Sequence, residues 1–202
     1  MQILIATGNA HKLSELSRVL PGFLSTGEKI TYKNLRDFNI SLPEETGITL
    51  QENAVLKALY ATRKSGLVAL SDDTGLEVDY LQGEPGIHTA RYAGEPVSTQ
   101  KNNEKLLQEL NGVPLPQRTA RFKTVACLAW PNGKYQLFEG VCEGHITTAY
   151  HGTNGFGYDP IFVVKEKNKC FAEMTADEKN AVSHRGRAFA QVRAFLQNKF
   201  HI

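Results

Sequence analysis

The chain has 202 residues, 41% of them hydrophobic and 22% charged, with a formal net charge of +2. This suits one domain, or a domain with two lobes, with a sizeable core, and excludes duplex binding through a broad basic face, so a polyanionic partner must be recognised locally. Cys127, Cys142 and Cys170 form neither a C-x-x-C pair nor an even set, so buried free thiols in a reducing compartment are expected, not zinc or disulfides. The first five residues lack the basic lead of a secretory signal and no apolar run reaches spanning length, so a cytoplasmic location is expected.

Ile3-Leu4-Ile5-Ala6 reads as a buried first strand, broken by Thr7-Gly8-Asn9. A helix over 11–20 follows, with Leu13, Leu16 and Leu20 at helical spacing, and Pro21-Gly22 ends it. A strand-to-helix turn offers unpaired backbone N–H groups at the positive end of a helix, so 7–12 can receive a phosphate, with Lys12 adding a point charge. The same turn also suits a plain N-cap by Asn9, and it lacks the glycines and Lys-Ser/Thr pair of a Walker A loop. Ile30-Thr31-Tyr32 reads as a second strand. Glu44 and Glu45 lie on a loop, as a source of metal-binding oxygen or as plain acidic loop residues. Thr49 with Glu52 marks a capping box for a helix to about Lys64, closed by Gly66. Asn53 and Lys57 share a face of that helix away from Leu56 and Leu59, and read as a solvated stripe.

Leu67-Val68-Ala69-Leu70 reads as a buried strand ending at Ser71-Asp72-Asp73-Thr74-Gly75. Side chains alternate along a strand, so Asp72 and Asp73 aim at different points. A carboxylate pair at a strand end suits Mg²⁺ and water activation; the same five residues also suit a solvated turn. Residues 76–94 are loop-rich, with turns at 82–86 and 91–94. Ser98 caps a helix through Leu110 that buries Leu106, Leu107 and Leu110. Pro114-Leu115-Pro116 marks a connection, with a lobe boundary expected near 112–118. Strands over 118–130 and 135–145 flank Asn132-Gly133, a strong hairpin signal.

The segment 152–160 is a glycine-rich loop before the strand Ile161-Phe162-Val163-Val164. Gly155 and Gly157 flank Phe156 and permit close backbone approach. Phe156 or Tyr158 offers a ring for stacking a base, and Asp159 an acceptor. The alternative is a sheet-corner bend with Phe156 in the core. Thr175 with Glu178 forms a second capping box, opening a terminal helix with Ala181, Val182, Ala188, Phe189, Val192 and Leu196 toward the core. Lys179 lies on that helix, and Ser183-His184-Arg185 interrupts its apolar pattern. Helices interspersed with strands and a hairpin give an α/β fold with a mixed sheet.

Taken in order, TGNAHK (7–12), EETG (44–47) with ENAVLKA (52–58), SDDTGLEVD (71–79), GEPGIHTARYAG (83–94), GTNGFGYDP (152–160) and EKNAVSHRG (178–186) resemble the inosine triphosphate pyrophosphatase family over nearly the whole chain. The resemblance implies Mg²⁺-dependent hydrolysis of ITP, dITP and XTP to the monophosphate and pyrophosphate. It implies an elongated central mixed sheet flanked by helices, two lobes with a cleft between them, and a homodimer; the low net charge, the adjacent acids and the lack of a spanning run lead to the expectation of no nucleic-acid or membrane partner. Carried over by position, Thr7, Gly8, Asn9, Ala10, His11 and Lys12 hold the triphosphate. Glu44 and Asp73 hold Mg²⁺, and Asp73 also accepts the proton of the attacking water. Lys57 neutralises phosphate charge, Thr74 touches the substrate, and Phe156, Gly157, Tyr158 and Asp159 meet the nucleoside. Lys179, His184 and Arg185 read the purine. Asp72 is expected to buttress the loop, with Gly75 turning the chain away. Thr74 stands where many members have Ser, and His88-Thr89 where they have an aromatic and Ser.

Overall fold

Alternation along the first strand sets the layering. The structure, a computed structural model, describes residues 1–198. Its elements run β1 (Gln2–Ile5), α1 (Ala10–Val19), β2 (Thr31–Asn34), α2 (Leu50–Ser65), β3 (Val68–Val78), β4 (Pro85–Gly86), α3 (Thr99–Glu109), β5 (Thr119–Ala129), β6 (Tyr135–Ile146), β7 (Phe162–Val164), β8 (Lys169–Cys170), α4 (Ala176–Val182) and α5 (His184–Asn198). Strands follow the order β2-β1-β3-β5-β6-β7-β8, with β4 paired to β3. β1 runs parallel to β2 and β3, whereas β4 is antiparallel to β3 and β7 is antiparallel to β6 and β8. The sheet is therefore mixed and carries flanking helices, the α/β class expected.

The chain divides into two units. The first comprises 1–73, 124–140 and the segment beginning at Arg185. Here Ile3 and Ile5 of β1 and Leu70 of β3 join Leu16 of α1 and Phe189, Val192 and Leu196 of α5 in one apolar cluster. Leu4, Ala6 and Ala69 join Ala61 of α2 and Leu35 in another. Odd and even side chains of the strands thus go to opposite faces, α1 and α5 covering one and α2 the other.

The second unit comprises 74–123 and 141–184. Its core gathers Leu76, Leu106, Leu110, Phe122, Ile146, Tyr158, Phe162, Phe171 and Val182. The Phe162 ring meets Phe122 edge-on at 4.8 Å and stacks on Phe171 at 5.3 Å. Leu106 and Leu110 are buried as expected, and Leu107 half-buried. Residues 112–118, where a boundary was expected, lie inside this unit.

Three expectations are corrected. The strand does not end at Leu70, because β3 continues through the acidic stretch to Val78, where Leu76 and Glu77 pair with Gly86 and Pro85. Gly75 is a strand residue, not a turn. The terminal helix is two helices: Ser183, extended at φ −72° and ψ 155°, ends α4, so Lys179 and His184 lie on different helices. Glu52 accepts the N–H of Ile48 at 2.7 Å instead of completing a box with Thr49, whose hydroxyl does cap the Glu52 N–H at 3.1 Å. The Thr175–Glu178 box is complete, at 3.2 and 2.8 Å. The hairpin is as expected, with the Trp130 N–H donating to the Lys134 carbonyl and Gly133 at φ +85°. Among the described residues no helix is long and apolar enough to cross a membrane.

Thr175→Ala removes the cap of α4 and is expected to cost about 1 kcal/mol. Urea unfolding measures this, and an unchanged midpoint would contradict the role given to the cap.

Candidate active site

The alternation that layers the first unit also separates the two acids of β3. Ser71 and Asp73 share the face of Ala69, toward α2; Asp72 shares the face of Leu70, toward α1 and α5. On the α2 side, the Ser71 hydroxyl donates to the Ala54 carbonyl at 2.5 Å. Asp73 Oδ1 accepts from Lys57 Nζ at 3.0 Å, and Asp73 Oδ2 accepts from Asn53 Nδ2 at 3.3 Å. Lys57 Nζ also reaches Glu45 Oε1 at 2.5 Å. Asn53 and Lys57 are buried, 3% and 6% exposed, while Leu56 and Leu59 are half-buried, the reverse of a solvated stripe. The reason is the company on that face. Ala54, Ala58 and Ala61 are buried beside them, small enough to bring the helix close to the sheet, and the carboxylate there needs donors.

The acidic loop is resolved the same way. Glu45, not the Glu44 expected beside Asp73, stands next to Lys57 and Asp73, whereas Glu44 is exposed. The Gly47 N–H donates to Asn53 Oδ1 at 2.8 Å, and a Cβ on Gly47 would lie 2.6 Å from that oxygen. Burial, the largest influence on Asp73, pushes its carboxyl above the ordinary range; Glu45 adds to this, and Lys57 opposes it without cancelling it. For Lys57 burial works against the charge, but Asp73, Asp72 and Glu45 outweigh it and raise its pKa.

On the other face, Asp72 Oδ2 accepts from Lys12 Nζ at 2.8 Å and from Arg185 Nε at 3.3 Å. Arg185 Nη1 donates to Glu15 Oε2 at 2.6 Å. Burial alone would raise the Asp72 pKa, yet Lys12, then Arg185 and Lys57, hold it well below the carboxylate range. Burial, with Arg185 and Lys57, lowers Lys12 against the pull of Asp72. The buttressing role expected of Asp72 thus has concrete partners. Asn9 Oδ1 accepts the N–H groups of His11 at 2.9 Å and Lys12 at 3.2 Å, and Thr7 Oγ1 accepts the Asn9 N–H at 3.2 Å. Gly8, Asn9, Ala10 and His11 are exposed and Thr7 is half-buried, so the turn is both capped and open to solvent.

In the second unit Lys179 Nζ donates to Asp159 Oδ2 at 2.7 Å and lies 4.6 Å from the Phe156 ring centre and 5.4 Å from that of Phe171. Asp159 Oδ2 also accepts the Phe156 N–H at 2.8 Å. Gly155, at φ +79°, would place a Cβ 2.0 Å from that same oxygen, so only glycine fits. Tyr158 is a core residue whose hydroxyl donates to the Thr89 carbonyl at 2.9 Å, which removes it as a stacking ring. Phe156 is half-buried instead of sitting in the core. The Gly157 carbonyl accepts from Asn103 Nδ2 at 3.1 Å. His184 is buried and stacks on Phe122 at 4.5 Å. Thr74 is half-buried on β3. Thr89 Oγ1 accepts the Leu76 N–H at 2.8 Å and donates to the Gly86 carbonyl at 2.5 Å, so the substituted His88-Thr89 pair includes a residue that packs the loop.

Sequence reasoning therefore left Asn53 and Glu15 out of the site, and weighed Glu45 only together with Glu44 as a loop source of metal-binding oxygen. Alanines at 54, 58 and 61 were the available signal, because they mark a face of α2 that approaches a strand closely.

Asp72→Asn would leave Lys12 and Arg185 without their shared anion and is expected to destabilise the protein by about 3 kcal/mol at neutral pH. A depressed carboxyl pKa gives stability that is present above the unfolded value and lost as pH falls toward the folded one. The gap between wild type and variant should therefore close below about pH 4. Urea unfolding at several pH values checks this, and a gap independent of pH would contradict it.

The Ham1 family profile matches residues 3–195. A dITP/XTP pyrophosphatase of Elusimicrobium minutum is 58% identical over 193 residues, 95% of this chain and 98% of that protein. One from Vibrio vulnificus is 46% identical over 200 residues, 98% of both chains. Among solved structures, a HAM1 protein from Coxiella burnetii superposes with a TM-score of 0.87 at 37% identity, covering 97% of this chain and 98% of that one. A nucleoside-triphosphatase / dITP/XTP pyrophosphatase from Mycobacterium abscessus gives 0.77 at 40% identity, covering 95% and 97%. A match this long, carried in sequence and in fold together, makes the chain a member of the Ham1 family.

Proposed function

We propose that the chain hydrolyses the deaminated purine nucleotides dITP, XTP and ITP to the nucleoside monophosphate and pyrophosphate. The observation that carries this reading is the buried Asp73, held between Lys57, Asn53 and the Glu45 loop, in a member of a family whose curated relatives are dITP/XTP pyrophosphatases.

The donor chemistry fits Mg²⁺. Asp73 and Glu45 offer carboxylate oxygens from a strand and a loop, which a hard cation prefers. Among the described residues no group of three or more His, Cys, Asp and Glu is placed to hold a metal; one or two carboxylates completed by water and substrate phosphate is the usual Mg²⁺ arrangement. When bound, the ion offsets phosphate charge and acidifies water. Asp73 takes the proton from the attacking water; without the ion, burial and Glu45 hold its carboxyl above the ordinary range. Lys57 stays charged beside it and counters the charge that moves onto the leaving pyrophosphate. The open turn formed by Thr7, Gly8, Asn9, Ala10, His11 and Lys12 receives the phosphates.

The half-buried Phe156 offers a stacking face to the base, with Gly157 and Asp159 shaping its loop and Thr74 touching the substrate. Lys179, an ammonium with three donors, favours the O6 of a deaminated purine over the amino group of adenine. His184 supports that end by packing. Arg185, tied to Asp72 and Glu15 in the first unit, acts on the phosphate side as a support of Lys12 instead of reading the base. The whole chain acts as one functional domain and, as the resemblance implies, as a homodimer on free nucleotides; the low net charge and the lack of a spanning apolar run support a cytoplasmic place with no nucleic-acid or membrane partner.

Pyrophosphate release from dITP, XTP, ITP, dATP, dGTP and dTTP, with and without Mg²⁺, tests the reading. Deaminated purines should lead in kcat/KM by at least about tenfold. Preference for a pyrimidine, or saturable dITP binding without pyrophosphate release, would refute it. Asp73→Asn should stay folded and lose at least about a hundredfold in kcat. Near-normal turnover would remove Asp73 as the proton acceptor.

A further inference from the structure

We infer that Asn53 is a positioning residue that fixes the acidic loop and Asp73 relative to each other, and so sets how tightly the divalent cation is held. The inference rests on the metal-assisted reading above. Asn53 is buried on α2, one turn before Lys57. Its carboxamide is used at both ends: Oδ1 accepts the Gly47 N–H at 2.8 Å, and Nδ2 donates to Asp73 Oδ2 at 3.3 Å. Lys57 makes a parallel bridge, from Glu45 Oε1 to Asp73 Oδ1. Loop and strand are therefore clamped twice from one helix face. The two bridges differ in kind.

Lys57 is a point charge on a flexible stem and follows the carboxylates wherever they sit. The amide is planar, short and directional, so it dictates which Asp73 oxygen is occupied and where the backbone after Glu45 runs. It leaves Asp73 Oδ1 on the side shared with Lys57 and Glu45, so that Asp73 and Glu45, the two carboxylates that supply the metal oxygens, meet the same ammonium. Gly47 belongs to the same device. Its missing Cβ is what lets the amide reach the loop, since a methyl there would lie 2.6 Å from Asn53 Oδ1 and 2.7 Å from Glu52 Cβ.

Asn53→Ala keeps every charged group and removes both hydrogen bonds. Residues that orient metal-binding carboxylates typically cost 10–100-fold in affinity when lost, so the Mg²⁺ concentration for half-maximal pyrophosphate release should rise about tenfold. KM for dITP at saturating Mg²⁺ should stay within about twofold, and excess Mg²⁺ should restore kcat, because the amide touches neither phosphate nor base in this assignment. Mn²⁺ binding to nucleotide-free protein, read by electron paramagnetic resonance, should weaken by the same factor. This second readout does not depend on turnover, so inactivity of the wild type toward dITP would sink the functional reading while leaving the positioning claim testable. Gly47→Ala, which displaces the amide without deleting it, should move both quantities in the same direction and replaces Asn53→Ala if that variant does not fold. A folded variant with lowered thermal stability but unchanged Mg²⁺ half-saturation and Mn²⁺ affinity would overturn the proposal. So would a wild type that binds no Mn²⁺.

Discussion

Two adjacent carboxylates buried in one strand are the constraint on which the first unit depends. An ionised carboxylate taken from water costs several kcal/mol unless it is paired and hydrogen-bonded. Asp72 and Asp73 are both buried, and strand alternation turns their carboxylates to different hydrogen-bonding cations. Each face of β3 must therefore carry its own cations. On one face α2 supplies Lys57 with Asn53; on the other, α1 supplies Lys12 and α5 supplies Arg185. This explains the small residues at 54, 58 and 61 of α2 and the arrival of α5 at the sheet with an arginine near its start.

The same arrangement makes the two acids chemically unlike. Asp72, with two cations on one oxygen and a third nearby, is locked as an anion. Asp73 shares its single strong cation with Glu45 and sits higher. One carboxylate is thereby a fixed counter-ion, and the other keeps the higher proton affinity, in keeping with the role proposed for it. The second unit repeats the logic on a smaller scale: Asp159 fixes Lys179 and the Phe156 backbone with one oxygen, and Gly155 leaves room for it.

Much of this was legible in the residues. Periodicity and caps located α1, α2, α3 and the β5–β6 hairpin, and six ordered motifs pointed to the family to which the chain belongs. The failures share a cause. Asp, Thr and Gly favour turns locally, so 71–75 read as a strand end, yet Asp72 and Asp73 find partners on three helices and the strand runs on to pair with β4 at Leu76 and Glu77. Asn53 and Lys57 read as solvated because polarity normally marks the outer face; their partners lie twenty and sixteen residues away, beyond any periodic signal. Neighbouring Glu44 and Glu45 are indistinguishable by type, and only the loop's path separates them. Ser183-His184-Arg185 was seen to interrupt the apolar pattern, but an interruption does not distinguish a polar patch from a break, and here it is the break that sends Arg185 to Asp72.

The central claim is that strand alternation gives Asp72 and Asp73 separate partners and hence separate work. Double-mutant cycles in urea unfolding test it most directly, pairing Lys12→Met with Asp72→Asn and, separately, with Asp73→Asn. The account predicts a coupling of about 1–3 kcal/mol for Lys12 with Asp72 and a several-fold smaller one with Asp73. Equal coupling of Lys12 to both carboxylates would contradict it.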